Sequence, residues 1–154
     1  MRPSRYWAER LRGEDGSASL EFVTAGMILL LPLVYLVLVM SAIQAGALAT
    51  EGAARQAARV YVQAPSAAEA KAGAIRAVEF GLADYGIDAA DATVAISCTP
   101  EPDDCLTRRG FVTVQVGVSV PLPLVPPALT VDVPLAVPLE ATATQQVSRF
   151  WGAP

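Results

Sequence analysis

The sequence predicts an α+β protein with a long N-terminal transmembrane helix, a second amphipathic helix and a small antiparallel sheet of about three strands. Three observations predict this fold class. No charged residue occurs from Phe22 to Thr50, apolar residues recur at helical spacing between Ser66 and Gly86, and three later segments alternate apolar with other residues. These patterns are typical of a membrane span, an amphipathic helix and half-buried strands, respectively.

The composition supports a membrane segment and argues against several functions. Apolar residues make up 53% of the 154 positions, which exceeds the share of about 45–50% that is usual in soluble domains. The formal net charge of −4 provides no basic field for nucleic acid, which is therefore not expected as a partner. The absence of His removes the commonest general base and the commonest zinc ligand.

The most apolar segment runs from Val23 to Ile43. At about 1.5 Å per residue, its 21 positions cover roughly 30 Å, which is the hydrocarbon thickness of a bilayer. Pro32 lies inside this run, and spanning helices tolerate proline, usually with a kink. The segment is therefore predicted to be a transmembrane helix.

One helix is predicted from about Ser19 to about Val62, where Pro65 stops it. Its outer, Ala-rich part contains two rows of small residues that recur every four positions. These rows are Ala42, Gly46 and Thr50, and Ala45, Ala49 and Ala53. Such rows either let another helix approach closely or reflect only the high helix propensity of Ala, and the sequence favours neither interpretation.

The Arg residues that flank the span favour a cytoplasmic N-terminus, because positive charge concentrates on the cytoplasmic side. They are Arg2, Arg5, Arg10 and Arg12 before the span, and Arg55 and Arg59 after it. The predicted organisation is a cytoplasmic basic leader (1–16), a transmembrane and extended helix (17–62) and an extracytoplasmic α+β domain (63–154). The chain would then be a single-pass protein of the cell membrane.

Two other interpretations of the apolar run remain open. Ala47-Leu48-Ala49 matches the A-x-A pattern of signal peptidase sites, so cleavage after Ala49 would release a secreted module. However, an apolar run of about 20 residues is longer than the 7–15 expected of a signal. The run could also be a buried hairpin core, although it lacks the charged face that a soluble helix carries.

The second helix is predicted from about Ala67 to Tyr85. Ser66 and Glu69 form a capping box at its start, and Gly86 provides a C-terminal stop. The apolar residues that define its buried face are Ile75, Val78, Leu82 and Tyr85.

Three strands are predicted to follow, around residues 93–98, 112–120 and 131–143, with apolar residues at alternate positions. The second is the clearest, since Val occupies five alternate positions. Pro134 and Pro138 both fall at even positions of the third segment, so their missing N–H groups belong to one edge, and this strand is predicted to be unpaired there. One face of the sheet is expected to be apolar and covered by a helix.

Cys98 and Cys105 enclose an acidic loop of six residues that contains two prolines. Two cysteines without His cannot complete a zinc site. If this domain lies outside the cytoplasm, a disulfide between Cys98 and Cys105 is expected, and the alternative is a pair of reduced thiols on neighbouring strands.

Glu21 is the only carboxylate at the start of the apolar run. An ionised group costs about 3 kcal/mol at the bilayer centre and less near the edge. One interpretation therefore places Glu21 in the headgroup layer, in the first helical turn, where the helix dipole favours a negative charge.

The residues around Glu21 also carry a family resemblance. Arg12-Gly13-Glu14-Asp15-Gly16, followed after four residues by Glu21-Phe22 and an apolar helix, resembles the class III prepilin signal. Over about residues 10–62 the chain is similar to the TadE family of the tight-adherence (Flp) pilus system. The resemblance implies cleavage between Gly16 and Ser17 by a prepilin peptidase, and a pilin-like plan in which a small sheet backs the long helix.

The resemblance also implies that Glu21 and Phe22 set the register between subunits, with Glu21 pairing with the free amine of Ser17 in a neighbour. The expected partners are the lipid bilayer, the prepilin peptidase and other pilus or pseudopilin subunits, contacted through the N-terminal helix. The predicted function is a structural or assembly component of a Flp-type pilus, such as a minor pseudopilin. The alternatives are an unprocessed membrane-anchored exterior binding domain and a secreted module cut after Ala49.

No catalytic or cofactor motif occurs in the sequence, which lacks G-x-S-x-G, the P-loop, G-x-G-x-x-G and H-E-x-x-H. No enzyme activity, cofactor or metal is therefore predicted. Asp103 and Asp104 could bind a cation, but an exposed turn is the simpler interpretation. Phe150 and Trp151 either pack on the sheet or mark a contact site.

Overall fold

The computed structural model of the chain describes residues 17–124 and 135–152. Their elements, in order, are α1 (Ser17–Gln63), α2 (Ala67–Ala83), a short 3-10 helix (Ala89–Asp91), β1 (Thr93–Thr99), β2 (Phe111–Pro121) and β3 (Ala136–Gln146). The predicted α+β class, with two helices and a three-stranded antiparallel sheet, is confirmed. The chain divides into two compact units, and the boundary lies between Leu38 and Val39, inside α1.

α1 is continuous over 47 residues and includes Pro32. By its length and composition it could cross a membrane. Every residue from 18 to 38 is exposed. A helix in a soluble domain buries one apolar face, whereas here none of the described residues of this unit covers the helix.

The sheet has the strand order β1-β2-β3, and both pairs are antiparallel. The central strand, β2, places Val114 opposite Ile96 of β1 and Ala143 of β3, so the apolar positions of all three strands share one face. The opposite face is polar, and the Thr113 and Thr144 hydroxyls lie 2.9 Å apart there. The alternation in the sequence therefore predicts the faces of the sheet correctly.

The core of the second unit lies among α2, the outer part of α1 and the apolar face of the sheet. Its α1 residues are mostly small, and its β2 residues are valines. The buried α1 residues are Gly46, Ala49, Thr50, Ala53, Ala54, Ala57, Ala58 and Tyr61. The buried β2 residues are Val112, Val114, Val116, Val118 and Val120. Small side chains on α1 bring its backbone close to its neighbours, which explains how a short chain builds a dense core.

α2 differs from the prediction in its buried face. It ends at Ala83, and its buried residues are Ala70, Ala74, Val78 and Leu82. Ile75 and Tyr85 are exposed instead. A Cβ placed on Gly81 would lie 3.2 Å from the Ala53 Cβ, so the two helices approach too closely for a bulky face. Gly86 has a φ of +70° and ends the helix as predicted.

β3 begins at Ala136 and ends at Gln146. The predicted third strand started near Val131, and its first part, including Val133 and Pro134, lies outside the described residues. Among residues 17–124 and 135–152, β3 pairs only with β2, which makes it an edge strand of the described sheet. Pro138 lies in it, opposite Ser119, as expected of a proline that cannot donate to a second neighbour.

The C-terminal segment resolves the two interpretations of its aromatic residues. Trp151 is half-buried against the core, and its Nε1–H donates to the Ala64 carbonyl at 3.0 Å. Arg108 Nε donates to the Trp151 carbonyl at 2.9 Å. Phe150 is exposed, with the Arg149 guanidinium 4.6 Å from its ring centre. Trp151 is therefore a packing residue, and Phe150 is a surface residue.

Candidate functional site

The candidate site is the N-terminal part of α1, where an apolar surface carries one carboxylate. Ser17, Glu21 and Phe22 all lie in α1, and the side chains of Glu21 and Phe22 are exposed. Gly16 lies outside the described residues, so the predicted cleavage position stays a prediction.

The helix surface around Glu21 has no polar face that would suit it to water. Leu20, Phe22, Met27, Ile28, Leu31 and Val34 are among its exposed apolar residues. Such a helix requires lipid or other helices around it, because water solvates an all-round apolar surface poorly. The described residues of this surface present an apolar helix and one exposed carboxylate.

The rows of small residues on the outer part of α1 pack within the same chain. A Cβ on Gly46 would lie 2.5 Å from Val120 Cγ2 and 2.9 Å from Leu139 Cδ1, so this glycine contacts the sheet. Ala53 contacts α2 at Gly81. Ala53 therefore lies at a close contact between helices, as the first of the two interpretations has it. Gly46 contacts the sheet instead, and both neighbours belong to the same unit.

The geometry around Ala49 argues against release of a secreted module. Ala49 and Thr50 are both buried, and the Thr50 hydroxyl donates to the Gly46 carbonyl at 2.7 Å inside the helix. Cleavage after Ala49 would remove Gly46 and Ala49 from the core of the unit. A product that starts at Thr50 would therefore lack part of the surface that supports its sheet.

A disulfide joins Cys98, near the end of β1, to Cys105, with the two Cα atoms 5.1 Å apart. Within the loop, Asp104 Oδ1 accepts a hydrogen bond from the Leu106 backbone N–H at 3.2 Å, and Leu106 is buried. All residues from 99 to 104 are exposed, so the loop is an exposed turn that is held by the disulfide and by the buried Leu106 directly after it. Among the described residues, no group of three or more potential metal ligands occurs. Asp103 and Asp104 therefore belong to no such group.

The loop also lies close to the end of α1. Burial raises the pKa of the Tyr61 hydroxyl, and the negative charge of Asp104 raises it further. Both effects disfavour the ionised form of Tyr61. Tyr61 and Leu106 are both buried in the core of the unit, so the segment that follows Cys105 packs in the same core as the last turns of α1.

Removal of the disulfide is expected to destabilise this unit. The two cysteines are seven positions apart, and closing a loop of that size contributes about 2–3 kcal/mol to the free energy of unfolding. A Cys98→Ala/Cys105→Ala chain should therefore unfold at lower urea concentration, as followed by fluorescence of Trp151 with Trp7→Phe in both chains. Dithiothreitol should shift the midpoint of the parent chain but not that of the variant. An equal shift in both would contradict a structural role for this bond.

Comparisons with known proteins identify no relative. No protein-family model, no curated protein and no solved structure matches the chain.

Proposed function

We propose that this chain is a structural or assembly component of a tight-adherence (Flp) type pilus system, similar to a TadE-like minor pseudopilin. The observation that carries the proposal is Glu21, an exposed carboxylate at the start of an apolar helix whose residues from 18 to 38 are all exposed. Its position five residues after Gly16 matches the spacing of the prepilin signal.

The apolar surface of the helix is suited to two environments that a pilus subunit would occupy in turn, the bilayer and the assembly. As a single span it would be solvated by lipid. In an assembly it would pack against copies of itself or related helices, which bury the same surface. Both environments suit a helix that is apolar on all sides, and a subunit that moves from bilayer to assembly needs such a helix.

Glu21 supports the assembly step in particular. A carboxylate buried among apolar helices requires a partner of opposite charge. Hydrolysis of the Gly16–Ser17 peptide bond would create a free α-amine on Ser17. Pairing of that amine with Glu21 of a neighbour would satisfy both charges and set the axial register between subunits.

The topology proposed with this function places the N-terminus in the cytoplasm and the α+β domain of residues 63–154 outside it. The Arg distribution favours this orientation. The disulfide between Cys98 and Cys105 supports it independently, because disulfides persist mainly in oxidising compartments.

The test is the mature N-terminus, measured by mass spectrometry of the membrane-extracted protein. We expect a start at Ser17 that is lost in a Gly16→Ala chain and in cells without a prepilin peptidase. Gly13→Ala changes the other glycine of the leader and is the matched control, which should be processed normally. A start at Met1 would support an unprocessed, membrane-anchored exterior binding domain instead. A start at Thr50 in the medium would support a secreted module.

A further inference from the structure

Apolar side chains are exposed at the end of the sheet where β2 and β3 approach their connection. The Leu122 N–H donates to the Leu135 carbonyl at 3.0 Å, beyond the last paired residues of the two strands. Leu124 is 76% exposed and Leu135 is 43% exposed. Tyr85, 50% exposed, lines a neighbouring cavity of about 220 Å³ together with Pro121. Tyr85, Leu122, Leu124 and Leu135 are called the hairpin-end surface below.

This surface lies beside the first turns of α1 that belong to the second unit. Val120, at the end of β2, contacts Gly46, and the cavity lined by Tyr85 is also lined by Ala42. The opposite end of the unit lies beside Ala64, whose carbonyl accepts the Trp151 hydrogen bond. β2 therefore runs antiparallel to α1, and the hairpin-end surface is at the end nearer Ala42.

Ala42 and Ile43 are the last residues of the apolar run before Gln44, and both are half-buried in this unit. Gly46 follows Ile43 by about 4.5 Å along the helix axis, at 1.5 Å per residue. The headgroup region on each side of a bilayer is roughly 5–7 Å thick. If the apolar run spans the hydrocarbon, the hairpin-end surface falls at the level of the headgroups.

The chemistry of the surface fits that level. Tyrosine is enriched where membrane meets water, because its ring is apolar and its hydroxyl is wet. Leu124 has a φ of +61°, a conformation that favours glycine. Contact with acyl chains would remove this exposed leucine from water.

The charged groups that border this end of the unit are acidic. Asp84 directly precedes Tyr85, Asp88 caps the short 3-10 helix that leads to β1, and Asp91 is the last residue of that helix. These carboxylates would repel anionic lipids. Attraction to the membrane surface would therefore be apolar and not electrostatic.

We propose that the hairpin-end surface rests in the headgroup layer of the leaflet on its side of the membrane, with Leu124 and Tyr85 in contact with lipid. This proposal rests on the membrane anchorage that is part of the proposed function. The contact holds the unit against the membrane through two separate points, α1 and the hairpin end.

The test is spin-label accessibility in the full chain reconstituted into phosphatidylcholine vesicles. The two native cysteines are paired, so single substitutions Leu124→Cys, Tyr85→Cys, Phe150→Cys and Leu31→Cys each provide one labelling site. Oxygen partitions into lipid, whereas a nickel chelate stays in water. Labels at 124 and 85 should collide more with oxygen than with the chelate, and raising the salt concentration should not change this. Phe150, an exposed residue at the opposite end (65% exposed), is the matched control and should favour the chelate.

The possible outcomes separate the two proposals. Chelate access at 124 and 85 equal to that at 150, while 31 is protected, would overturn the headgroup contact and leave the span intact. Shielding of 124 from both reagents would also overturn it, since a second copy of the chain would then cover the surface. Chelate access at 31 would overturn the membrane anchorage itself.

Discussion

A Gly46→Leu chain should lose about 3 kcal/mol of the free energy of unfolding of the second unit, the upper part of the usual range for overpacking. Even a methyl group at this position would lie 2.5 Å from Val120 Cγ2 and 2.9 Å from Leu139 Cδ1. Small rotations of those two side chains could accept a methyl group but not a whole leucine. The sheet would have to move away from α1. Hydrogen exchange of the β2 amides in the detergent-solubilised chain measures this loss.

The matched control is Gly52→Leu on the same helix. No atom lies within 4 Å of a Cβ placed on Gly52, and leucine has a higher helix propensity than glycine by nearly 1 kcal/mol. This chain should therefore be as stable as the parent or slightly more stable. Equal protection of β2 in the two variants would show that the contact between Gly46 and the sheet does not stabilise the unit.

The helices and strands could be predicted because their signals are local. The charge-free run from Phe22 to Thr50, the capping box at Ser66 and the alternating valines of β2 each lie within one element. The Ser66 side chain accepts a hydrogen bond from the Glu69 N–H, as the capping box requires. Glu51 and Arg55 pair on the exposed side of α1, as their spacing of four predicts.

The buried face of α2 could not be predicted because it depends on a distant partner. Hydrophobicity alone favours Ile75 and Tyr85 over Ala70 and Ala74. The buried face of α2 is determined by Gly81, because this glycine allows α2 to approach Ala53 closely. The space that remains between the helices suits alanines. For the same reason the role of Gly46 depends on Val120, a residue 74 positions away.

In the candidate site, too, features that depend on nearby residues could be predicted, whereas features that depend on other molecules could not. Pairing of Cys98 with Cys105 could be predicted on the condition that this domain lies outside the cytoplasm, because the two cysteines lie in one short segment. The roles of Gly16, Ser17, Glu21 and Phe22 depend on a peptidase and on neighbouring chains, so they stay predictions. A single chain can present Glu21 on an apolar helix, but it cannot supply the charge that pairs with it.

Glu21→Ala should abolish incorporation into multi-subunit assemblies while cleavage after Gly16 continues. The substituted side chain is five residues from the scissile bond, so the peptidase substrate stays intact. In the assembly, the Ser17 amine of a neighbour would be left buried without its partner. Breaking a buried ion pair in this way costs about 3–5 kcal/mol, and 3 kcal/mol lowers an association constant roughly a hundredfold. Crosslinking in membranes, together with the content of sheared filaments, measures incorporation.

Three single variants and one double variant test whether the charge of Glu21 is what assembly requires. Glu21→Gln keeps the size and polarity of the side chain but not its charge, so it should fail almost as completely as Glu21→Ala. Glu51→Ala removes the other carboxylate of α1, which is solvent-exposed and paired with Arg55, and should assemble normally. Gly16→Ala prevents formation of the amine, so adding Glu21→Ala to it should cause little further loss, because both changes remove the same interaction. Additive losses would show that Glu21 acts without the Ser17 amine. Normal assembly of Glu21→Gln would show that the charge of Glu21 is not needed for assembly.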